Sequence, residues 1–322
     1  MTATRPRILT GLQPSGTLHI GNYFGSLKQQ VDLAKNNQNE VFLMVADYHA
    51  LTSVRDGSTL RAHTHELVRD YLAAGIDPAH VTLFRQSDNP DHLELGWIFN
   101  CLVTVPFLQQ AHAYKDKVAK GLEANAGLFT YPMLMAADIA LYNVDVVPVG
   151  EDQRQHLEYT REAVSKFNHH YGTLLKEPKE QILPSVGVVP GTDGQKMSKS
   201  YKNTIPLFGS REEIQKAVLS IVTDSTGERP EHVYAIHKVV YEQTDRDLAA
   251  LDALYAEHAG KYKALKDALA GDIDALVAPM RERRAHVTDA EVVQVLAAGA
   301  EKARAASHPT LKRVRDAIGI TI

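Results

Sequence analysis

The strongest constraint on the fold is an alternation of short apolar segments and helical patterns in the first half of the chain. Residues 40–47, EVFLMVAD, are almost continuously apolar, which is typical of a strand covered on both faces. A shorter apolar strand is predicted at 7–12. A helix is predicted at 58–75, with Ser58 as its N-cap and Gly75 just past its end. Since strands separated by helices usually pair in parallel, the pattern predicts an α/β fold with a Rossmann-like, doubly wound parallel sheet.

The same alternation continues further along the chain. Helices are predicted at 21–37 and 151–168, and strands at 81–86 and 145–150. Together with the two earlier strands, these segments give a sheet of at least four strands with helices on both faces.

The pattern changes after residue 205, where strand-like segments stop and Ala- and Leu-rich helical patterns follow. Ser210 and Glu213 form a capping-box pattern at the first of these helices. We therefore predict an α/β domain over 1–205, an all-helical region over 206–290, and a C-terminal helix over 291–322 that packs back on the first domain.

Composition limits the class of protein. The chain has 322 residues, of which 44% are hydrophobic and 23% charged, as in ordinary globular enzymes. No membrane-span or signal-peptide pattern is seen, so we expect a cytoplasmic protein. The single cysteine, Cys101, excludes an internal disulfide and is expected to be a buried packing thiol. A net charge of −4 means that any nucleic-acid contact would need local basic patches.

The first candidate site is the segment QPSGTLHIGN at 13–22, directly after the first strand. Open α/β sheets bind ligands at the carboxyl ends of their strands. Gly21 begins the next helix, whose free N–H groups favour an anion, and His19 would project into the same space. The stretch therefore predicts a phosphate site, although a surface turn with an incidental histidine explains it equally well.

The second candidate site is the loop PGTDGQKMSKSYKN at 190–203. Lys196 and Lys199 lie three residues apart, and Gly191 and Gly194 give the loop freedom to close over a polyphosphate. Taken alone, a charged loop of this kind is more often a solvated linker.

Together, HIGN and KMSKS resemble the paired HIGH and KMSKS motifs of the class I aminoacyl-tRNA synthetases. Asn22 stands where the strict motif has a second histidine. The tryptophanyl-tRNA synthetase family is the most similar, through GLQPSGTLHIGNY (11–23), TYPMLMAAD (130–138) and PVGEDQRQHLE (148–158). The resemblance extends from about residue 7 to the last helix. It implies a homodimer that activates tryptophan with ATP and Mg²⁺ and transfers it to tRNA(Trp).

The resemblance also implies roles for individual residues. His19, Lys196 and Lys199 would be catalytic. Mg²⁺ would be bound with ATP and would have no direct protein ligand. Lys115 and Lys117 would lie on the phosphate and metal side, but a solvated helix face explains them equally well. The ATP-binding residues implied are Gln13, Pro14, Ser15, His19, Gly21, Asn22, Gly150, Glu151, Asp152, Val189, Lys196, Met197, Ser198, Lys199 and Ser200.

For tryptophan, the resemblance implies that Asp138 accepts a hydrogen bond from the indole N–H. A buried carboxylate needs donors, and the indole nitrogen only donates. Met135 and Tyr131 lie one and two helical turns earlier on the same face and would form the walls of the indole pocket. His49 and Gln153 would hold the amino-acid end or orient Asp138.

The chemistry implied agrees with these residue types. The tryptophan carboxylate attacks the α-phosphorus of ATP, so the enzyme needs no nucleophile and works by alignment and by stabilising phosphoryl charge. The helical region would then contact the tRNA anticodon. Two basic clusters, which are also common on solvated helices, are candidates for phosphate contacts: Arg281, Arg283 and Arg284, and Lys312, Arg313 and Arg315.

Three alternatives remain open at this stage. A tyrosyl-tRNA synthetase would need a Tyr/Asp pair for a phenol in place of the MAAD ending. A smaller nucleotidyltransferase would lack KMSKS and the helical region. A non-charging paralogue that senses tryptophan or ATP would be expected to lose His19, Lys196 or Lys199, and all three are present. The segment GVVPGTDGQ before KMSKS departs from the family pattern, and the ATP contact that the family makes there would fall near Val189. The segment DYHA (47–50) departs from the family pattern as well.

Overall fold

The structure, a computed structural model, describes residues 5–36, 38–121, 123–149, 154–182, 189–223 and 229–321. Within these ranges a five-stranded parallel sheet has the order β3-β2-β1-β4-β5. Its strands are β1 (Arg7–Leu12), β2 (Glu40–Val45), β3 (Val81–Arg85), β4 (Val146–Val149) and β5 (Lys179–Ile182). The predicted Rossmann-like, doubly wound α/β fold is confirmed, and the strand order reverses between β1 and β4.

Strand β2 shows how the apolar run builds two cores. Val41, Leu43 and Val45 belong to a hydrophobic cluster on one face of the sheet. Phe42 and Met44 belong to a second cluster on the other face. Since side chains alternate along a strand, a continuous apolar segment covers both faces, which is why β2 lies inside the sheet.

The helices of the first part surround this sheet. They are α1 (Ile20–Asn22), a π-helical turn (Tyr23–Leu27), α2 (Lys28–Lys35), α3 (Asp47–Ala50), α4 (Gly57–Ala74), a 3₁₀ turn (Gln86–Asp88), α5 (Asp91–Leu102), α6 (Val105–Leu108), α7 (His112–Ala119), α8 (Ala126–Leu141) and α9 (Arg154–Tyr171). Gly75 ends α4 with φ of 103°, as predicted. The predicted cap Ser58 is wrong: the side chain of Asp56 accepts from the Thr59 N–H, and the Ser58 hydroxyl bonds to that carboxylate instead.

The remaining helices form the predicted C-terminal helical part. They are α10 (Arg211–Leu219), α11 (Glu231–Gln243), α12 (Leu248–Glu257), α13 (Tyr262–His286) and α14 (Asp289–Ile318), and a 3₁₀ turn (Lys199–Tyr201) precedes them. Ser210 and Glu213 form the expected capping box at α10. Ile214 and Leu269 belong to the same hydrophobic cluster as Leu43 of the sheet, so this part shares a core with the α/β part.

Helix α14 lies directly against the sheet. A Cβ at Gly299 would stand 1.7 Å from the Leu83 carbonyl oxygen of β3, so only glycine permits this approach. The exact domain boundaries, 1–205, 206–290 and 291–322, stay a prediction. Among the helices of the described ranges, none is both long and apolar enough to cross a membrane.

The burial predicted for Cys101 is wrong, because the thiol is exposed. Leu93, Trp97 and Cys101 follow one another at intervals of four on α5, so they share one stripe. Trp97 is 70% exposed and Leu93 46% exposed. The apolar sequence GWIFNCLV therefore supplies both a buried face and an uncovered apolar face of the same helix.

Candidate active site

A cavity of about 650 Å³ lies at the carboxyl ends of β1 and β4, where the strand order reverses. This is the position at which open α/β sheets bind ligands. Gly11 and Gln13 line it from β1 and the following turn, and Pro148 lines it from β4. Helix α8 covers the cavity with five residues that line it: Leu128, Tyr131, Met135, Asp138 and Ile139.

Asp138 is the most buried charged group of this cavity, with 1% of its surface exposed. Oδ1 accepts from Gln86 Nε2 at 2.8 Å and from His92 Nδ1 at 2.6 Å. Oδ2 lies 2.8 Å from His49 Nε2. Burial by itself raises the pKa of Asp138, but the hydrogen bonds from His49 and His92 outweigh it and lower that pKa to about 2. The group is therefore an ionised acceptor at neutral pH.

The geometry leaves Asp138 one acceptor direction. A carboxylate oxygen accepts about two hydrogen bonds, and Oδ1 already has two donors whereas Oδ2 has one. The donor on Oδ2, His49, itself lines the cavity. Gln86 and His92 lie behind the carboxylate and are not among the described residues that line the cavity. The remaining position on Oδ2 suits a ligand N–H that enters from the cavity.

The walls of the cavity agree with the sequence prediction in part. Met135 and Tyr131 line it on the same face of α8 as Asp138, and His49 lines it from α3. The Tyr131 hydroxyl is hydrogen-bonded to His156 Nε2 of α9. Gln153 lies outside the described residues, as do Gly150, Glu151 and Asp152.

His19 is fixed by a capping box at the start of α1. Its Nδ1 accepts from the Asn22 N–H at 3.2 Å, and Asn22 Oδ1 accepts from the His19 N–H at 3.1 Å. The imidazole proton therefore lies on Nε2. Burial, together with the nearby Lys199 ammonium, lowers the pKa of His19 to about 4. The Asn22 backbone N–H thus sets the tautomer of a neutral histidine that donates from Nε2, and the Asn22 side chain, the departure from the HIGH motif, caps the His19 backbone N–H.

The KMSKS loop packs against this segment. Lys199 Nζ donates to the Ser15 carbonyl oxygen at 3.0 Å. The Ile20 N–H donates to the Ile205 carbonyl at 3.0 Å, and the Leu207 N–H donates to the Leu18 carbonyl at 3.1 Å. Backbone hydrogen bonds therefore join the two motifs into one unit.

Two glycines allow the close approaches that this unit needs. A Cβ at Gly21 would lie 3.0 Å from His19 Nδ1 and 3.3 Å from Met197 Cβ. A Cβ at Gly191 would lie 2.3 Å from Asn203 Cγ. Gly191 was expected to give the loop freedom to move. In the structure, its lack of a side chain lets the loop pack closely against Asn203.

Asn203, which sequence reasoning missed, organises the KMSKS loop from inside. It is 1% exposed. Its Nδ2 donates to Asp193 Oδ1 at 2.7 Å and to the Lys196 carbonyl at 3.1 Å, and its Oδ1 accepts from the Ser198 N–H at 2.7 Å. A buried amide on three partners fixes the loop from which Lys196 and Lys199 project.

The other predicted ATP residues fall into two groups. The side chains of Val189 and Met197 are buried in the core, and the Met197 N–H donates to the Val189 carbonyl at 3.0 Å. Pro14 is also buried, whereas Lys196 and Ser200 are exposed. The Ser198 hydroxyl accepts from the Ser200 N–H at 3.3 Å and begins the 3₁₀ turn.

Lys115 and Lys117 lie on α7, which reaches the cavity through Ala113. Residues four apart share a helix face, so Lys117 is on the face of Ala113, and Lys115, two residues after Ala113, is not. Lys117 is the one of the two that the helix places toward the cavity.

The first basic cluster proposed for tRNA is bonded within the chain. Arg284 Nε donates to Asp70 Oδ1 at 2.7 Å, and its other arm reaches Glu66. Arg283 Nε donates to the Ala73 carbonyl at 2.8 Å. Arg281 bonds to the Gly209 carbonyl and to Asp274, each at 2.7 Å. These guanidinium groups join α13 to the rest of the chain, and they are not free cations.

In the second cluster, Arg315 bonds to Glu94 of α5, with Nε to Oε1 at 2.6 Å. Lys312 and Arg313 are exposed on α14. Exposed lysine and arginine side chains suit phosphate contacts better than paired ones.

Gln86 and His92, the two donors behind Asp138, were also missed by the sequence analysis. Gln86 directly follows β3, so its position at the carboxyl end of a parallel strand was a usable signal. His92 is a lone histidine in α5, and nothing in its local sequence separates it from a core histidine.

Comparison with known proteins agrees with this geometry. Residues 1–290 match the model of the tRNA synthetases class I (W and Y). The chain is 44% identical over 321 residues to the tryptophan–tRNA ligase of Fusobacterium nucleatum subsp. nucleatum, covering 98% of each chain. It is 41% identical to that of Rhodopirellula baltica, covering 98% of this chain and 99% of the relative.

A solved structure is similar throughout the fold. It is the tryptophanyl-tRNA synthetase from Campylobacter jejuni complexed with ADP and tryptophan, with a TM-score of 0.88 and 39% identity over 97% of this chain and 99% of that one. The fold and the two motifs at its switch point define a class I aminoacyl-tRNA synthetase. The chain belongs to the tryptophan and tyrosine family of that class.

Proposed function

We propose that this chain is a tryptophan–tRNA ligase, which activates L-tryptophan with ATP and transfers it to tRNA(Trp). The observation that carries the proposal is the arrangement of one cavity. A buried, ionised acceptor, Asp138, lies at its α8 wall, and Gln13 lines it at the end of β1. Two residues beyond Gln13, Ser15 binds Lys199 of the KMSKS loop. The cavity therefore offers an indole site at its α8 wall, and its β1 end lies two residues in sequence from the contact with the KMSKS loop, where we propose that the phosphates bind.

In the first step, the tryptophan carboxylate attacks the α-phosphorus of ATP, and the bond to the β-phosphate oxygen breaks to release pyrophosphate. The attacking group is already an anion, so no protein nucleophile is required. The Nε2–H of neutral His19 donates to phosphoryl oxygens, and Lys196 and Lys199 balance the charge that moves onto pyrophosphate.

The second step uses the same aligned adenylate. A terminal hydroxyl of tRNA attacks the acyl carbon, and AMP leaves. The helical region 206–290 is proposed to contact the anticodon, and the exposed Lys312 and Arg313 of α14 are candidates for phosphate contacts. We place the enzyme in the cytoplasm, where tRNA is charged.

Mg²⁺ is proposed to enter with ATP. The side chains at the phosphate end, His19, Lys196 and Lys199, are donors and cations, so they fit phosphate oxygens and do not fit a metal ion. Mg²⁺ is usually bound by phosphates and water with few protein ligands. Bound there, it neutralises charge on the leaving pyrophosphate, and Lys117 of α7 would approach the same phosphates.

ATP–pyrophosphate exchange with each of the twenty amino acids tests the substrate. Exchange is expected with tryptophan and not with tyrosine, because the sequence has the MAAD ending with Asp138 and not the Tyr/Asp pair that a phenol would need. Exchange driven by tyrosine would contradict the proposal. Aminoacylation of tRNA(Trp) then separates a ligase from a paralogue that only senses tryptophan, which would show exchange without charging.

We propose further that two copies form a homodimer through the uncovered face of α5. Leu51, Leu93 and Trp97 are exposed there, at 46% to 70% of their surfaces. A groove of about 540 Å³ runs along this face and shares His49 and Tyr131 with the tryptophan cavity. Contiguous exposed apolar groups of this kind mark interfaces, and a two-fold dimer uses the same patch on both copies.

Trp97→Asp tests the dimer. The variant is expected to be a monomer in sedimentation equilibrium at concentrations where the wild type is a dimer, because a charge would be buried twice in a symmetric interface. Val293→Asp is the matched control, since Val293 is an exposed apolar residue on α14, away from this face, with 57% of its surface exposed. A dimeric Trp97→Asp variant, or a monomeric wild type, would contradict the proposal.

A further inference from the structure

We propose that His92 is a positioning residue for Asp138, at the head of a buried hydrogen-bond chain that runs through Tyr142 and Asn89 to Ser307 of α14. The inference rests on the proposed function, because it concerns how the indole-binding carboxylate is held. The four residues behind Asp138 are each 0% exposed. They are not among the described residues that line the tryptophan cavity.

The chain is continuous at hydrogen-bond distance. His92 Nδ1 lies 2.6 Å from Asp138 Oδ1, and His92 Nε2 lies 2.8 Å from the Tyr142 hydroxyl. Asn89 Nδ2 donates to that hydroxyl at 3.0 Å and to Ser307 Oγ at 2.9 Å. Three segments that are distant in the chain therefore meet behind one carboxylate: the start of α5, the end of α8 and the middle of α14.

Between Asn89 and Asp138, the donors of this chain point toward Asp138. The Asn89 amide donates to the Tyr142 oxygen, so the phenol proton is free to bond to His92 Nε2. With Nε2 accepting, the imidazole is neutral and its proton lies on Nδ1, which donates to the carboxylate. Burial raises the pKa of Tyr142, so the phenol remains a donor. Hydrogen bonds that run in one direction polarise one another, and the end of the chain stabilises a negative charge without adding a second ion.

Ser307 anchors the far end of the chain in α14. Its hydroxyl donates to Asp91 Oδ2 at 2.8 Å, so it links α14 to the first residue of α5. Helix α14 also packs on β3 through Gly299. The orientation of the tryptophan-binding carboxylate therefore depends on a helix that makes no described contact with the cavity.

The physical consequence of removing His92 is specific. Gln86 would be the only donor left on Oδ1, and a carboxylate 1% exposed would lose a charge-assisted bond. Asp138 would then rotate toward the remaining donors or take up a proton. In either state Asp138 accepts less well from an indole N–H. A ligand without that N–H makes no such hydrogen bond, so its binding is not weakened.

The experiment measures discrimination, which is the ratio of kcat/KM for tryptophan to kcat/KM for an analogue with sulfur in place of the indole N–H. Pyrophosphate exchange is the assay, with the full-length enzyme. His92→Phe is expected to lower discrimination about tenfold or more, the usual scale for one charge-assisted hydrogen bond. His92→Asn is expected to restore most of it, because its amide N–H can occupy the position of Nδ1–H. Tyr142→Phe and Ser307→Ala are expected to lower it by progressively smaller factors.

His237→Phe is a matched control. His237 is also 0% exposed and also lies between an aspartate and a tyrosine, with Nε2 2.7 Å from Asp272 and Nδ1 3.2 Å from the Tyr255 hydroxyl. It belongs to α11 in the helical region, so its loss is expected to lower stability and leave discrimination unchanged.

Unchanged discrimination in a folded His92→Phe variant would overturn the inference, as would equal discrimination in the Phe and Asn variants. If His92→Phe does not fold, Tyr142→Phe decides in its place, and unchanged discrimination there would overturn the inference. A wild-type enzyme without tryptophan-dependent exchange would instead overturn the proposed function.

Discussion

The two ends of the proposed active site are built in opposite ways. At the tryptophan end, Asp138 is buried and holds three donors, so its charge and direction are set before a ligand arrives. At the phosphate end, His19 keeps Nε2–H available, and Lys196 is exposed on a loop. Specificity requires an acceptor that does not adapt, because an adaptable one would also accept competitors. Charge stabilisation requires donors that engage where charge develops during the reaction.

The largest effect is expected from Lys199→Ala, which breaks the phosphate end. We expect kcat for pyrophosphate exchange to fall by about 10²–10³, with little change in KM for tryptophan, because the ammonium acts on charge that develops in the transition state. Steady-state exchange kinetics measure it. Lys216→Ala, an exposed lysine on α10, is the control and should behave as the wild type. A normal kcat with a raised KM for ATP would show that the loop only binds nucleotide.

The next effect is expected from Asp138, which breaks the tryptophan end. Asp138→Ala should lose about 5- to 150-fold in kcat/KM for tryptophan, as an unsatisfied indole N–H costs roughly 1–3 kcal/mol. Asp138→Asn should lose less, since its amide oxygen still accepts. Unfolding by denaturant should show both variants destabilised, because three buried donors lose their ionic partner. KM for ATP should stay nearly constant in both variants. If Asp138→Ala still discriminates between tryptophan and the sulfur analogue as the wild type does, another residue determines specificity.

A titration sharpens the comparison. The pKa of His19, lowered to about 4, should appear as an NMR midpoint well below the ordinary value of 6.5. In Lys199→Ala the midpoint should rise, because a nearby positive charge is lost, and it should stay below 6.5 because burial remains. Since the unfolded state binds the proton first, His19 should make the fold less stable as pH falls from 6.5 toward 4. A midpoint near 6.5 in the wild type would contradict the buried, neutral imidazole.

The smallest effect is expected from Asn22→Ala, which removes the side chain that caps His19. We expect a loss of about 0.5–2 kcal/mol in the free energy of unfolding, as for other lost caps, and a rise of a few-fold in KM for ATP. Ser210→Ala removes the equivalent capping box at α10. It should cost similar stability without changing KM for ATP. Equal effects of both variants on KM would mean that the Asn22 cap serves stability alone.

The sequence could predict the parts of the site that local patterns record, and it could not predict contacts made by distant segments. The motifs around His19 and Lys199 are local patterns, so the resemblance to the class I synthetases was enough to predict that they work together. Asp138 and Met135 share one helix face, so their common cavity followed from periodicity. Gln86 and His92 reach Asp138 only because the sheet order and the packing of α5 bring them there, and no local pattern records such a contact.

One error and one unforeseen set of partners have the same physical origin. The cluster of Arg281, Arg283 and Arg284 was a candidate for phosphate contacts, and α4 and neighbouring segments supply it with partners from distant parts of the chain. Cys101 was expected to be buried, because its surroundings are apolar. A single sequence shows that a segment is apolar or basic, and it does not show which surface covers it.

The backbone bonds between residues 18–20 and 205–207 also set when, during synthesis, the enzyme becomes competent. Strands β2 to β5 all lie between these two segments, so the nascent chain completes its sheet before the phosphate site can close. A ribosome-bound chain that stops before residue 205 should hold all five strands, but neither the joined motifs nor helix α14. We expect such arrested chains to gain ATP binding only after the later segment has left the exit tunnel. ATP binding by shorter arrested chains would show that the first motif is sufficient.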